Sequence, residues 1–340
     1  MIQKAIANIA EGKDLPREVA TQTLIQIMNG EATGAQIAAF LVGLRMKGES
    51  IEEITGLAQA MRSMATRIEP ARRPLVDTCG TGGDASGTFN ISTAAAFVVA
   101  GAGVAVAKHG NRSASSKCGS ADVLEALGVN IEVAPEVVTR CIDEFGFGFM
   151  FARSFHAAMK HVAPVRQELK LRTVFNILGP LTNPAGADGQ VMGVYDEALV
   201  EPIAHVLHNL GIRRAFIVSG EDGLDEISLS VRTRIAEVTP DGVTLGYVCP
   251  EDAGIRSVCS DALLGDDAQT NAAMIQKILE GEPGPCRDVV VLNAAAGILA
   301  GEDGPTDWKA AAAKAAESID SGSALRVLTN VAQLTAGEAG

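Results

Sequence analysis

The six cysteines, at positions 79, 118, 141, 249, 259 and 286, form no C-x-x-C pair and no zinc-ligand spacing, and in 340 residues they are too sparse for a secreted disulfide framework. A reducing cytoplasm is the expected compartment. Positive charge is short as well, with 28 Lys and Arg against 41 Asp and Glu and a formal net charge of −13. Affinity for nucleic acid or anionic membrane comes mostly from Lys and Arg neutralising phosphates, so this balance argues against general binding to either. Any phosphate site must be local. The opening stretch MIQKAIANIAEGKD lacks an apolar core long enough for a secretory signal. Residues 85 to 107 carry no charge, a run longer than the roughly 18 residues of a candidate membrane span. Polar Ser86, Thr88, Asn90, Ser92 and Thr93 break its first third, and Gly101 and Gly103 divide the rest into a short helix over 94–100 and a buried strand over 104–107.

The 47% hydrophobic content can fill one large core and a smaller one. Residues 1 to about 70 read as successive short helices. Asp14-Leu15-Pro16 opens one, Thr33 with Gln36 and Ser50 with Glu53 form capping-box pairs, and Ile37, Phe40, Leu41 and Leu44 recur at helical spacing. EPARRP at 69–74 is the expected boundary. Beyond it strands alternate with helices. LVDTCG, VAVAKHG, FGFMFAR, VMGVYD and AFIVSG read as strands, and ADVLEALG and VEPIAHVLHNLG as helices between them, which predicts an α/β domain with a largely parallel sheet. TRIAEVTPDGVTLGYV reads as a hairpin turning at Asp241-Gly242. The stretch 155–185 is helical but interrupted by Pro164, Pro180 and Pro184, and it is placed against the N-terminal helices. The predicted organisation is a helical domain, 1–70, with a contribution from about 155–185, and an α/β domain, 71–340.

Three strand-end loops carry unusual residues. CGTGGDASGTFNIST, 79–93, contains Gly80 to Ala85 in the loose dinucleotide pattern G-x-G-x-x-G/A. A dinucleotide fold then needs an acid about 20 positions on, at the end of the second strand. That position instead offers KHGNRSASSK, with Lys108, Arg112 and Lys117 and no acid. The basic run marks a local anion site and disfavours the dinucleotide reading. The first loop then reads as a phosphate cradle of another kind, in which glycines expose backbone N–H groups and the following helix N-terminus adds donors. The same glycines also suit a bare tight turn with Ser92 capping the helix. SGEDGLDEIS offers Asp225 and Glu226, which in a turn can converge on a hard cation such as Mg²⁺, although the loop also reads as a solvated acidic turn. It lacks the alternating acids of an EF-hand. Together the three loops suggest a Mg²⁺-diphosphate substrate.

GTGGD, NIST, KHGNRSASSKCGSADVLEALG, PVRQELKLRTVFNILGPLTNP and DGLDE stand in the order and at about the spacing of the anthranilate phosphoribosyltransferase family, which the chain resembles from its N-terminal helices to VLNAAAG at 291–297. The resemblance implies transfer of the phosphoribosyl group of 5-phosphoribosyl 1-diphosphate to the amine of anthranilate, with loss of pyrophosphate, in tryptophan biosynthesis. It implies a nucleoside phosphorylase/phosphoribosyltransferase-like fold that dimerises through its helices. Carried onto this sequence, Gly80, Gly83, Asp84, Thr88, Asn90, Ile91, Ser92, Thr93, Lys108, His109, Gly110, Asn111, Arg112, Ser113, Ala114, Ser115, Ser116 and Ser120 would hold phosphoribosyl diphosphate. Ser92, Asp225 and Glu226 would ligate a pair of Mg²⁺ ions per subunit. Gly80, Asn111 and Arg166 would hold anthranilate, with His109 at its entrance. The substrates are small molecules, and neither nucleic acid nor membrane is implied as a partner.

Breaking the C1–O bond builds positive charge on the ribose and negative charge on pyrophosphate, so neutralisation and positioning supply the acceleration. Anthranilate's aromatic amine is unprotonated at neutral pH, and no general base or Ser-His-Asp constellation is required. His156, His161, His205 and His208 read as ordinary helix histidines, with His156 set apart by preceding the Arg166 segment. A pyrimidine nucleoside phosphorylase is the nearest alternative, disfavoured by Arg166 and the KHGNR context. A non-enzymatic homologue binding nucleic acid is disfavoured by the net charge.

Overall fold

The computed structural model describes residues 1–84, 86–113 and 117–338, with the backbone alone for 260 and 261. Four helices open the chain: α1 (Ile2–Ala10), α2 (Arg17–Met28), α3 (Gly34–Lys47) and α4 (Ile51–Met64). Both capping boxes form. The Gln36 N–H donates to Thr33 Oγ1 while the Thr33 N–H donates to Gln36 Oε1, and Ser50 and Glu53 repeat the exchange. Glu53 is fully buried, also accepts the Leu15 N–H at 2.9 Å, and pairs with Lys47 at 2.9 Å, so the α4 cap fastens the chain entering α2. A buried carboxylate without such partners would destabilise the fold strongly.

A seven-stranded sheet follows: β1 (Leu75–Gly80), β2 (Ala105–Gly110), β3 (Phe147–Phe151), β4 (Gly189–Gly193), β5 (Arg214–Gly220), β6 (Thr233–Thr239) and β7 (Gly242–Val248). Its order is β3-β2-β1-β4-β5-β6-β7; the first five strands are parallel, and β6 and β7 add an antiparallel hairpin turning at Pro240-Asp241. The order reverses between β1 and β4, and ligands of open α/β sheets bind beyond the carboxyl ends of the strands at such a point. All of β3, β4 and β5 is buried, as expected for strands covered on both faces.

The crossovers and flanking helices are α5 (Ile91–Gly101), α6 (Ser120–Ala126), α7 (Pro135–Phe145), α8 (Ala152–Phe155), α9 (Ala163–Leu169), α10 (Phe175–Leu178), α11 (Val200–Asn209), α12 (Ala268–Leu279), α13 (Pro285–Gly301), α14 (Trp308–Asp320) and α15 (Ser323–Gly337). Side chains of α5, α13, α14 and α15 share one core with Val76, Val106, Val191, Phe216 and Val218 of the sheet. Residues on the opposite sheet face, Met192, Ala215 and Ile217, pack with α11, with Val174 and Leu178, and with the α1–α4 helices in a second continuous core. The stretch 155–185 thus bridges the helical layer and the sheet.

Two boundaries differ from the sequence reading. α5 starts at Ile91 rather than 94, because Ser92 and Thr93 are small enough to enter its first turn. Pro164 does not interrupt a helix but sits in the first turn of α9, where its missing N–H has no intrahelical partner to lose. Among the described residues, no helix is long and apolar enough to cross a membrane.

Candidate active site

The first loop leaves β1 and runs ten residues, 81–90, before α5 begins, too long for the tight strand-to-helix turn of a dinucleotide site. Gly82 and Gly83 have φ of +65° and +84°, backbone that side-chain-bearing residues rarely adopt, so glycine is required for the chain to curl here. The loop is held from outside. The Thr81 N–H donates to Gly193 O at 2.9 Å, and the Gly82 N–H donates to Asp225 Oδ2 at 2.8 Å. Ala85, within the glycine-rich pattern, lies outside the described residues.

Asp225 and Glu226 are not displayed on a solvated turn. The loop after β5 folds back over the ends of β1 and β4, and a Cβ on Gly193 would stand 1.6 Å from Asp225 O, one on Gly80 2.6 Å from Asp225 Oδ2. Gly80 therefore admits the acidic loop, a role for it that its neighbours in sequence do not suggest. Glu226 Oε1 accepts the Ser92 N–H at 3.1 Å. This corrects the expectation that Ser92 caps α5 or that its N–H stands free for phosphate: Asn90 occupies the N-cap position without a side-chain cap, and a glutamate from another loop accepts the Ser92 N–H of the first turn. Desolvation, then the neighbouring Asp84 carboxylate, pushes Asp225 up to about 7; desolvation, then Asp225, pushes Glu226 up to about 8. Neither forms an ion pair with an Arg or Lys among the described residues.

The ammonium of Lys108 lies below them, buried, donating to Thr78 O and lying 3.5 Å from Ser92 Oγ. Burial lowers its pKa while Asp77 and Glu226 oppose the shift. Asp77 is itself buried and accepts the His109 N–H at 3.2 Å and Asn183 Nδ2 at 2.8 Å; burial raises its pKa to about 6. Thr93 is buried in α5, Ile91 faces the core, and Thr88 bridges to Leu264. Asp84 accepts a hydrogen bond from Ser86 Oγ.

The second loop is anchored to α6. Ser120 Oγ donates to Asn111 O at 3.3 Å, the Ser113 N–H donates to Asp122 at 3.2 Å, and a Cβ on Gly110 would meet Ser120 Oγ at 2.3 Å. Arg112 turns outward to Asp122 and Glu125 and Lys117 pairs with Asp266, so these two cations neutralise surface acids instead of converging on the cradle. Asn111 Oδ1 accepts the Arg112 N–H at 2.8 Å. Ala114, Ser115 and Ser116 lie outside the described residues.

Two candidates stand apart. His109 is buried, its ring 5.0 Å from that of His156, and burial holds the two pKa values down at about 3 and about 4. His156 ends α8 in the interior and is not an ordinary helix histidine. Arg166 lies on α9 with its guanidinium 5.4 Å from the Phe175 ring centre, and among the described residues no carboxylate pairs with it, Glu168 included. No hydrogen bond joins Arg166 to Asn111.

Sequence reasoning missed the residues that aim the loops. Asn293, alone among apolar neighbours in α13, donates to Ile227 O at 3.0 Å and accepts the Ile227 N–H at 2.8 Å, fixing the backbone beside Glu226. Asn271, also buried, donates to Asn90 Oδ1 at 3.0 Å, while Asn90 donates to Cys118 O at 3.2 Å. A solitary buried amide in an apolar helix was the available signal, since such groups are kept where they are hydrogen-bonded.

A helical layer on a mostly parallel sheet, with glycine-rich, basic and acidic loops meeting at the strand order's reversal, defines a two-part glycosyl transferase. Residues 72–325 match the family described as "Glycosyl transferase family, a/b domain" and residues 3–65 the "Glycosyl transferase family, helical bundle domain". Within that class, the chain belongs to the anthranilate phosphoribosyltransferase family. It is 53% identical to the anthranilate phosphoribosyltransferase of Geotalea uraniireducens, covering 98% of this chain and 99% of that one. It superposes on the anthranilate phosphoribosyltransferase of Thermus thermophilus with a TM-score of 0.92 at 46% identity, covering 98% and 99% of the two chains. The Saccharomyces cerevisiae enzyme, solved in complex with PRPP and Mg, gives a TM-score of 0.90 at 26% identity, covering 99% and 98%.

Proposed function

We propose that the three strand-end loops bind 5-phosphoribosyl 1-diphosphate in one cleft, and that Asn111 and Arg166, with the Gly80 backbone, hold anthranilate beside it. The chain is a pentosyltransferase that joins the phosphoribosyl group to the anthranilate amine and releases pyrophosphate. The observation that carries our assignment of the site is the reach of Asp225 and Glu226 from the β5 loop to the Gly82 and Ser92 N–H groups, which gathers separate loops around one point.

Two desolvated carboxylates that form no ion pair with a guanidinium or ammonium among the described residues, one of them bonded to the Ser92 N–H, are oxygen donors suited to Mg²⁺, with the Ser92 hydroxyl proposed as a third. Among the described residues no three acidic, thiol or imidazole groups form a cage alone, which fits an ion whose remaining ligands are substrate phosphates and water. Ser92, Asp225 and Glu226 would hold a Mg²⁺ pair, which would supply positive charge against the leaving pyrophosphate. The glycine loop, Gly80 to Gly83 with Asp84, Thr88 and Asn90 to Thr93, orients the diphosphate and ribose; Lys108 supplies positive charge from below. The second loop, 108–116, with Ser120, contributes further contacts to the same substrate. His109 borders the anthranilate entrance as a neutral imidazole. Positioning the amine opposite C1 is the main contribution left to the protein, because that amine attacks unprotonated.

We assign residues 1–70 to the helical domain and 71–340 to the α/β domain, with a homodimer formed through the helices in a cytoplasmic setting. Sedimentation across a dilution series tests the dimer; a monomer at every concentration refutes it. The function is tested by following anthranilate consumption through its fluorescence, with and without phosphoribosyl diphosphate and Mg²⁺. No consumption under any condition overturns the reading, and phosphorolysis of thymidine in its place would favour a nucleoside phosphorylase.

A further inference from the structure

Arg172 has a position that the reaction as described does not use. Its side chain is partly buried, its Nη2 donates to Gly83 O, and its guanidinium lies over the Tyr195 ring, 4.2 Å from the ring centre. The guanidinium occupies the space that a side chain at Gly83 would take: a Cβ there would stand 1.6 Å from Arg172 Nη2 and 2.3 Å from Cζ. Tyr195 follows β4, and its N–H donates to Thr81 Oγ1 at 3.3 Å, so ring and loop are tied at a second point. Arg45 of α3 donates to the Arg172 carbonyl. No carboxylate among the described residues pairs with the Arg172 guanidinium. One arginine therefore touches the glycine loop and the end of β4 while its backbone is held by the helical layer.

We infer that Arg172 is a positioning residue for phosphoribosyl diphosphate: clamped between the Tyr195 ring and the Gly83 carbonyl, it holds the glycine loop in the conformation that turns its N–H groups toward the diphosphate. The inference rests on the proposed assignment of that loop to the diphosphate. The physical basis is geometric. A carbonyl engaged by a planar, always-charged guanidinium fixes the peptide plane, and fixing the Gly83 carbonyl fixes the N–H of the next residue on the opposite edge of the same plane. Residues at positive φ have several backbone alternatives within reach, so a loop with Gly82 and Gly83 needs such an external hold to remain in one of them. Lysine cannot replace the clamp, because an ammonium neither stacks flat on an aromatic face nor offers the fork. The bond from Arg45 also makes the hold depend on the helical layer's placement.

The test is steady-state kinetics on the full chain, varying each substrate in turn. Arg172→Gln is expected to raise KM for phosphoribosyl diphosphate by about tenfold or more, the loss of one charge-assisted hydrogen bond, while KM for anthranilate and kcat move by less than about threefold. Arg172→Lys should recover only part of the loss. Tyr195→Leu should raise the same KM by a smaller factor, and the double variant should be no worse than Arg172→Gln, because both remove one clamp. If Arg172→Gln does not fold, Arg172→Lys and Tyr195→Leu carry the test alone. Unchanged phosphoribosyl diphosphate KM in the folded variants, an equal rise in both KM values, or simple additivity of the two substitutions would overturn the inference. Wild-type protein that consumes no anthranilate would instead overturn the function itself, so the two failures are distinct.

Discussion

Glu226 Oε1 accepts the Ser92 N–H at 3.1 Å, so the acidic loop after β5 closes on the first turn of α5 and both belong to one site. Amide variants separate charge from this contact, since Asn and Gln keep an accepting oxygen. Asp225→Asn and Glu226→Gln should each lower kcat/KM by about a hundredfold or more, the scale of losing a preorganised electrostatic group. Without metal both should melt at or above the wild-type temperature, because a desolvated carboxylate has been removed. Excess Mg²⁺ should partly rescue one of them. A Mg²⁺ titration of activity with parallel thermal melts checks this. Near wild-type turnover and metal dependence in both would show that the cation site lies elsewhere.

Gly193→Ala tests the approach of that loop from below. The added Cβ would stand 1.6 Å from Asp225 O, a backbone atom that cannot swing aside. The loop must shift by ångströms while β4 keeps its ladder to β1 and β5. Misplacement of that size costs about a hundredfold in rate. Activity assays with circular dichroism check it, and full activity with an unchanged fold would show that the loop tolerates the displacement.

Much of this architecture was legible because its elements are locally consistent. The two capping boxes, the buried β1 run LVDTCG and the β6–β7 hairpin each follow from neighbouring residues, although the turn falls at Pro240-Asp241, one residue before the expected Asp241-Gly242. What stayed hidden are relations across the chain. Gly80 looked like part of a phosphate turn, yet its missing side chain makes room for Asp225, 145 positions later. Arg112 and Lys117 looked like phosphate ligands because the run KHGNRSASSK has no acid of its own; their partners Glu125 and Asp266 come from other segments. Asp77 and Asn183 form a buried pair that no local pattern connects.

The buried imidazoles give the fold an acid limit. His109 and His156 titrate at about 3 and about 4 when folded, well below the ordinary histidine value, because burial disfavours their charged forms. Between pH 6.5 and those values the unfolded chain binds the extra protons, so the two imidazoles' contribution to stability is complete above about pH 6.5 and is lost as the pH drops. Asp77, raised to about 6, opposes this between about pH 6 and pH 4, and Asp225 and Glu226, raised to about 7 and about 8, oppose it from higher pH, since there the folded state holds the extra protons. His156→Phe should therefore lose roughly 2–3 kcal/mol less than wild type between pH 7 and pH 4.5. Urea unfolding at the two pH values measures it. Equal losses in both proteins would mean that His156 titrates normally.

Arg166 is the predicted handle for the anthranilate carboxylate, the one fixed negative charge on that substrate. Its surroundings suit that role, since the side chain is half-buried, burial lowers its pKa, the Phe175 ring supports the guanidinium at 5.4 Å, and no protein carboxylate among the described residues occupies its fork. A partly desolvated guanidinium gains from an anion, so a planar carboxylate bound in two-pronged fashion both compensates the charge and orients the ring. A charge-assisted contact of roughly 1.5–3 kcal/mol means that Arg166→Ala should weaken anthranilate use by about ten- to more than a hundredfold, with affinity for phosphoribosyl diphosphate little changed. Lysine should restore only part of the loss, because a point charge lacks the fork. Kinetics varying each substrate in turn decide the matter. An unchanged KM and kcat for anthranilate in Arg166→Ala, or a defect confined to phosphoribosyl diphosphate, would place the carboxylate on another residue.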